Sequence, residues 1–224
     1  GGNTSGVFTS NNASAIRYVG TTGAINLKDQ TTDTDQIVMQ TSLSDIAVLG
    51  NGSTSGYGLL IQNPASVDIN RCFIANHGGI GIDIEGGAFT STWGQNTYVR
   101  NSWLTHNRTG NIRIGGSYRP TVTNIENNSI LAGGKYLIFV KNAWITNITN
   151  NELASLAFNQ TIGGSGTGVQ AHGVVIDAAT VVNIEGNSFE SISGQVGTPV
   201  KHIIIGFDGD TQANTTSAAQ GIRI

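Results

Sequence analysis

The stretch Ile125-Glu126-Asn127-Asn128-Ser129-Ile130 decides the fold, because its pattern returns in four other places along the chain. The other copies begin at Ile69, Val99, Ile148 and Ile184, so successive copies are spaced by 30, 26, 23 and 36 residues. Every copy starts with Ile or Val, ends on an apolar sixth residue, and has Val or Thr two positions before its start. Self-similarity at such a period is typical of solenoids. We interpret each copy as a strand, a sharp bend and a second strand.

The two middle positions of each copy predict the bend. Asn and Gly enter the left-handed backbone region more readily than other residues, and they dominate the third position. That position is occupied by Arg71, Asn101, Asn127, Asn150 and Gly186. The fourth position is occupied by Cys72, Ser102, Asn128, Asn151 and Asn187. Amides stacked at one point of a coil can hydrogen-bond along a ladder, which we expect for the three asparagines of the fourth position.

A second strand motif lies between the copies, with apolar first and third residues, as an inward-facing strand requires. Its members are Leu59–Gln62, Ile82–Glu85, Ile112–Gly115, Ile138–Lys141 and Val174–Asp177. Short strands that repeat with a variable spacing predict an all-β chain. We expect a parallel β-helix, in which successive coils stack at the ~4.8 Å strand spacing. A β-sandwich with an accidental alignment is the alternative. Long helical periodicity is absent, and the best helix candidate, around Glu152–Phe158, is short.

Composition excludes several classes of protein. Only 11% of the 224 residues are charged and the formal net charge is -3, which argues against a nucleic-acid partner. No apolar run approaches the ~20 residues that a membrane-spanning helix needs, so we expect no membrane insertion. The single Cys72 allows neither an internal disulfide nor a cysteine zinc cluster, and the four histidines match no metal motif; we expect no cofactor and no metal.

These motifs resemble the right-handed parallel β-helix of the pectin-lyase-like superfamily. The Asn column and the following Gly-Ile-x-Ile strand carry this resemblance. Within the superfamily, the neutral, Asn/Thr/Gly-rich composition and the segment Ile46–Gly52 are similar to bacteriophage tailspikes and related polysaccharide depolymerases. The resemblance extends from Leu43 to Ile205 and implies a single-stranded solenoid that associates as a homotrimer on a virion tail, outside the cell. It also implies a bacterial surface polysaccharide as partner. The polygalacturonase and pectate lyase signatures are missing, so the resemblance leaves catalysis open.

The solenoid is expected to divide into entry strands over residues 1–42 and β-helix coils over residues 43–224. In the first 40 residues only Ala24–Leu27 and Gln36–Met39 suggest strands. The last residues, Gly221–Ile224, repeat the pattern of Gly81–Ile84, which predicts a missing C-terminal cap and a fragment of a longer chain. Whether Ile203–Ile205 and Ile222–Ile224 are successive coils or one coil with an insertion stays open.

Outward positions of the second motif form one column: Leu60, Asp83, Arg113, Phe139, Val175 and Ile204. An exposed column this apolar favours a subunit interface, with coverage by the protein's own loops as the alternative. Asp83 with Arg113, and Arg100 with Glu126, lie one coil apart and are expected to approach each other, more as structural ion pairs than as catalytic groups.

Glycoside hydrolysis normally uses two carboxyl groups, and Asp83 and Glu85 alternate on one strand, ~6.5–7 Å apart along it. We take them as the candidate catalytic pair of an endo-glycosidase, against the alternative of two solvated acids, one neutralised by Arg113.

Sugar binding has its own candidates, because aromatic faces stack on sugar rings. Phe73 and Trp103 share an outward column in adjacent coils, and Trp93 lies in the long segment Gly86–Thr97. Arg113 and His172, the latter within Gln160–Gly173, complete the predicted substrate-binding set; the histidines are otherwise expected to be surface residues. We therefore expect a tailspike body that binds a surface polysaccharide. Under the hypothesis of a catalytic acid pair, it also hydrolyses that polysaccharide. A non-catalytic structural or adhesin segment and a polysaccharide lyase are the alternatives.

Overall fold

The computed structural model of the chain describes residues 14–20, 22–28, 40–52, 56–62, 65–86, 96–116, 119–154, 172–190, 202–205 and 221–224. Within them lie three sheets of seven strands, and every strand pairs in parallel with the equivalent strands of neighbouring coils. The chain visits the sheets in a fixed order, so each coil contributes one strand to each sheet and seven coils stack. The prediction of a parallel β-helix is confirmed.

Sheet A holds the strand that follows each bend. Its members are β1 (Ser14–Arg17), β4 (Ile46–Leu49), β7 (Phe73–Ala75), β10 (Trp103–Thr105), β13 (Ser129–Leu131), β16 (Glu152–Ala154) and β19 (Ser188–Glu190). One strand was missed, because the sequence pattern did not single out Ser14–Arg17. The best helix candidate, around Glu152–Phe158, begins as strand β16, and Leu153 fills the inward column at 0% exposure as the bend motif predicts.

Sheet B is built from the second motif. Its members are β2 (Ile25–Lys28), β5 (Leu59–Gln62), β8 (Ile80–Glu85), β11 (Gly110–Ile114), β14 (Tyr136–Val140), β17 (His172–Ile176) and β20 (Ile203–Ile205). Sheet C carries the strand that leads into each bend. Its members are β3 (Gln40–Ser44), β6 (Ser66–Asn70), β9 (Asn96–Arg100), β12 (Val122–Glu126), β15 (Ala143–Thr149), β18 (Ala179–Glu185) and β21 (Ile222–Arg223).

The sheet assignment of the last two strands shows whether Ile203–Ile205 and Ile222–Ile224 are successive coils or parts of one coil. β20 lies in sheet B and β21 in sheet C, so they belong to one coil with an intervening segment and are not successive coils. The pattern that Gly221–Ile224 shares with Gly81–Ile84 therefore does not imply a shared sheet, because β8 lies in sheet B and β21 lies in sheet C. At the other end, β3 runs across the expected boundary between residues 42 and 43 and pairs with β6. Gln36–Met39 lies outside the described residues.

The bends have the backbone that their residue types predict. The third position of every copy has a positive φ: Arg71 52°, Asn101 51°, Asn127 56°, Asn150 55° and Gly186 67°. A left-handed residue reverses the local curl of the chain, which lets a short turn join two strands of different sheets. A second set of such residues, Asn76, His106 and Ala132, turns the chain from sheet A towards sheet B.

The predicted amide ladder runs down one corner of the core. The side-chain oxygen of Asn151 accepts the backbone N–H of Asn128 at 3.0 Å, and that of Asn187 accepts the backbone N–H of Asn151 at 2.9 Å. The amide of Asn128 donates to the carbonyl of Val99 at 2.8 Å. Backbone groups that the bend removes from the sheets are thus satisfied inside a dry corner, as buried polar groups require.

Inward columns of the three sheets close the core. The Ile, Leu and Val side chains of these columns are almost all 0% exposed, as in Ile74, Ile112 and Ile125. Burial of such a side chain contributes about 1.5–3 kcal/mol, so the stacked columns supply most of the stabilisation. A threonine column, Thr97, Thr123 and Thr146, runs beside them and is also 0% exposed.

Candidate functional site

Sheet A presents an aromatic pair on its outer face. Phe73 and Trp103 are register partners in adjacent coils, and their rings meet edge to face with centroids 5.8 Å apart and an interplanar angle of 81°. Phe73 is half-buried, whereas Trp103 remains 42% exposed. The predicted common column is confirmed, and it places one large aromatic face in contact with solvent.

The bend immediately before Trp103 fixes its position. Asn101 holds the left-handed conformation, and the N–H of Ser102 donates to Asn128 Oδ1 at 2.9 Å. The N–H of Trp103 itself donates to the carbonyl of Cys72 at 2.8 Å. Because these bonds tie the backbone to the coils on both sides, the indole is carried by a rigid element and not by a loop.

The same column continues with polar residues that the sequence analysis did not single out. Ser129 pairs with Trp103 in register, and Glu152 pairs with Ser129. The Ser129 hydroxyl donates to Glu152 Oε2 at 2.7 Å. The aligned fifth position of the bend motif could have revealed them, since it contains Phe73, Trp103, Ser129, Glu152 and Ser188 in successive coils. We call Phe73, Trp103, Ser129 and Glu152 the sheet A platform.

The candidate acids on sheet B lie in a different environment. Asp83 is 0% exposed, and Arg113 Nε donates to its Oδ1 at 2.7 Å while Arg113 Nη2 bonds its Oδ2. Glu85 is half-buried; Gln62 donates to its Oε2 at 2.9 Å and Arg113 Nη2 lies 3.4 Å from its Oε1. The expected Asp83–Arg113 ion pair is confirmed, and one guanidinium serves both carboxylates. Their assignment as acid and base stays a prediction.

The electrostatics of the pair follow from burial. Desolvation raises the pKa of Asp83 above its usual value, and the two bonds from Arg113 oppose that shift. For Arg113, desolvation acts to lower the pKa, but the bonds to Asp83 outweigh it and raise the pKa. The bidentate geometry is that of an ionised carboxylate and guanidinium, so we assign the pair as charged. An acid–base role for Asp83 would require this ion pair to open.

The outward column on sheet B is a continuous register column but not an exposed one. Phe139 and Val175 are 6% and 2% exposed within the single chain, so the expectation of an exposed apolar column is wrong for them. Tyr136 packs on Phe139 with ring centroids 5.1 Å apart, and Val175 and Ile204 join this cluster. Packing within the chain thus takes up the surface that the sequence suggested for a partner.

Sheet C has a polar outer face with a second amide ladder. Asn147 donates to Asn124 Oδ1 and Asn183 donates to Asn147 Oδ1, both at 2.8 Å. Arg100 pairs with Asp68, through Nε–Oδ1 at 2.9 Å and Nη2–Oδ2 at 2.7 Å. Glu126 is the register neighbour of Arg100 in the next coil, as expected, but the bidentate ion pair is made with Asp68. Arg100 reaches diagonally to the preceding coil because Asp68 offers it bidentate geometry.

Of the remaining predicted site residues, one lies beside the apolar cluster of sheet B and one lies outside the described residues. His172 is half-buried in sheet B, in register with Tyr136. Trp93 and most of the segments 86–97 and 160–173 lie outside the described residues. His77, expected at the surface with the other histidines, is 1% exposed, and its Nε2 lies 3.1 Å from the carbonyl of Val48.

No protein-family model, curated protein or solved structure matches this chain. Over the described part of the chain, no helix is long and apolar enough to cross a bilayer. The same residues contain no group of three or more His, Cys, Asp or Glu side chains arranged to hold a metal ion.

Proposed function

We propose that this chain is the glycan-binding body of a tailspike-like β-helix, and that the sheet A platform binds a bacterial surface polysaccharide. The carrying observation is the Phe73–Trp103 pair, with Trp103 42% exposed on a rigid strand. An aromatic face next to hydrogen-bonding side chains suits a sugar ring, which has an apolar face and a hydroxyl edge. The Ser129–Glu152 pair supplies the polar groups in the next two coils.

The strand spacing supports the same proposal. Coils stack at ~4.8 Å, which is close to the length of one pyranose ring. A saccharide chain that runs along the solenoid therefore meets successive members of the platform with successive sugars. Association as a homotrimer and a place on a virion tail are part of this proposal and rest on the resemblance to tailspikes.

Trp103→Ala tests the proposal directly. The probes are capsular polysaccharides and lipopolysaccharides purified from a panel of Gram-negative bacteria, and binding is measured by titration calorimetry. Loss of the indole is expected to weaken binding of the recognised polysaccharide at least about tenfold, since stacking and its buried area contribute more than about 1.4 kcal/mol.

Trp144→Ala is the matched control, because Trp144 is 38% exposed at the start of β15 in sheet C, away from the platform. Its affinity should stay at the wild-type level. Equal affinities for the wild type and Trp103→Ala, or no binding to any polysaccharide of the panel, would contradict the proposal and favour a structural or adhesin segment. Release of reducing ends, or of unsaturated products that absorb ultraviolet light, would add a hydrolase or a lyase activity to binding.

A further inference from the structure

The ionisable residues on the outer face of sheet A bear on the class of glycan that the platform binds. On the outer face of sheet A, the described ionisable residues are Arg17 in β1, Glu152 in β16 and Glu190 in β19. Glu152 lies two coils from Trp103 in the same register column. Arg17 lies at the opposite end, two coils before Ala75 in the neighbouring outward column. Beyond Trp103 the outer face of sheet A therefore carries two carboxylates among its described residues, Glu152 in the platform and Glu190 in the neighbouring column.

The arginine nearest to the aromatic pair along the chain is already neutralised. Arg71, two residues before Phe73, donates from Nε to Asp45 Oδ1 at 2.7 Å and from Nη2 to Asp45 Oδ2 at 2.6 Å. A guanidinium bound in this bidentate way has its charge matched by its partner. Burial lowers the pKa of His106, at the next corner of the same coil as Trp103, which disfavours a positive charge there.

The Glu152 carboxylate has acceptor sites left for hydrogen bonds from a ligand. An ionised carboxylate offers about four acceptor sites, and among the described residues the structure gives Glu152 one donor, the Ser129 hydroxyl. That bond orients the carboxylate along the column towards the coil of Trp103. Groups that donate, such as sugar hydroxyls, suit this site, whereas a sugar carboxylate meets a like charge.

We propose that the sheet A platform selects a glycan without carboxylate groups, whose sugar beyond Trp103 donates hydroxyl hydrogen bonds to Glu152. This inference rests on the proposed glycan binding and adds the chemical class of the ligand. Glu152 acts as a specificity-determining residue: it accepts hydrogen bonds from hydroxyls and repels uronic acids. Salt screens the repulsion between the Glu152 carboxylate and a sugar carboxylate, so the discrimination against uronic acids should weaken as salt is added.

The test uses the full chain and an array of neutral, amino-bearing and uronate-bearing hexasaccharides of several linkages. We expect neutral and amino-bearing hexasaccharides to bind at least about tenfold more tightly than uronate-bearing ones at low salt. Glu152→Gln keeps a side chain that can accept from Ser129 but removes the charge, and it should reduce that ratio at least about fivefold. Glu185→Gln, an exposed acid on sheet C, is the control and should leave the ratio unchanged.

Two results would overturn the inference alone. One is tight binding of uronate-bearing hexasaccharides to the wild type, in a way that Trp103→Ala still abolishes. The other is an unchanged ratio in Glu152→Gln with normal binding of neutral hexasaccharides. Absence of binding in every class, or binding that ignores Trp103→Ala, overturns the proposed function and this inference with it.

Discussion

At the scale of single residues, the fold depends on asparagines in two different roles. Asn127 and Asn150 supply left-handed backbone at the bends, whereas Asn128 and Asn151 satisfy backbone groups in the buried corner. The first role is a matter of local conformation, and the second is a matter of hydrogen bonds in a dry environment. The second is more costly to lose, because a buried donor or acceptor without a partner costs about 1–3 kcal/mol.

Asn151→Ala should lower the free energy of unfolding by roughly 2–4 kcal/mol, because it leaves the N–H of Asn128 and the carbonyl of Ile125 without their partner. Urea denaturation followed by circular dichroism measures it. Asn147→Ala is the control in the same coil, since Asn147 is half-buried and bonds other side chains on the outer ladder. A loss as large for Asn147 as for Asn151 would contradict the buried-ladder account.

A substitution in the threonine column is expected to raise the free energy of unfolding, in contrast to Asn151→Ala. Among the described residues, the buried hydroxyls of Thr97, Thr123 and Thr146 have no hydrogen-bond partner. Thr123→Val exchanges such a hydroxyl for a methyl group of similar size, so it should raise the free energy of unfolding by about 1 kcal/mol. Thr105→Val is the control, because the Thr105 hydroxyl bonds His106 Nδ1 at 2.7 Å, and it should give no gain. Destabilisation by Thr123→Val in thermal unfolding would count against the prediction.

At the scale of the element, the strands are short and their ends are set by close contacts between coils. Gly115, which follows β11, combines a φ of +81° with a position where a Cβ atom would meet the backbone of Asn142. Gly52, after β4, has a φ of +72° but nothing within 4 Å of a Cβ atom. Adding a Cβ atom at position 52 therefore introduces backbone strain alone, whereas adding one at position 115 introduces backbone strain and a steric clash.

Gly52→Ala should cost about 1–2 kcal/mol of unfolding free energy, the usual penalty of an L-residue in left-handed backbone. Gly115→Ala should cost clearly more, because the backbone of the adjacent coil must also move. The midpoints of urea unfolding for the two variants measure the difference. Equal midpoints would mean that the coils at Gly115 can separate without cost.

At the scale of the whole molecule, the three outer faces differ although the coils are alike. Sheet A exposes an aromatic and acidic platform, sheet B covers its column through a charged pair and an apolar cluster, and sheet C exposes amides. A solenoid permits this because inward positions are restricted by packing while outward positions on each face are free to vary. Function on one face then need not disturb the others.

The stability of the whole chain should depend on pH through its buried histidines. Burial lowers the pKa of His77, and the bond to the Val48 carbonyl opposes that shift. Below the ordinary histidine value near 6.5, the unfolded chain binds a proton that folded His77 does not, so stability is lost as pH falls from there towards the lowered pKa. The slope for one histidine approaches about 1.4 kcal/mol per pH unit.

Urea unfolding between pH 5 and 7 checks this sign. His77→Gln can keep a donor near Val48 but does not titrate, so its stability should fall less steeply with acid than that of the wild type. His106, whose pKa burial also lowers, accounts for part of the slope that remains. Identical slopes in the two proteins would mean that His77 is protonated in the folded state or reached by solvent.

Much of this architecture follows from the sequence by itself. The bends at Asn101 and Asn127, the ladder at Asn128 and the column of Phe73 with Trp103 are periodic, and in a stack of coils sequence period becomes spatial register. Local conformational preference and side-chain alternation suffice to place such residues.

Only the tertiary structure decided which outward positions reach solvent and which partner each charge takes. Asp83 and Trp103 occupy equally outward positions, yet one is 0% and the other 42% exposed. Arg100 forms its bidentate ion pair with Asp68 and not with its register neighbour Glu126. Burial on an outer face depends on which side chains of neighbouring coils pack together there, and ion pairing depends on side-chain reach. Neither is periodic, so neither could be read from the repeat.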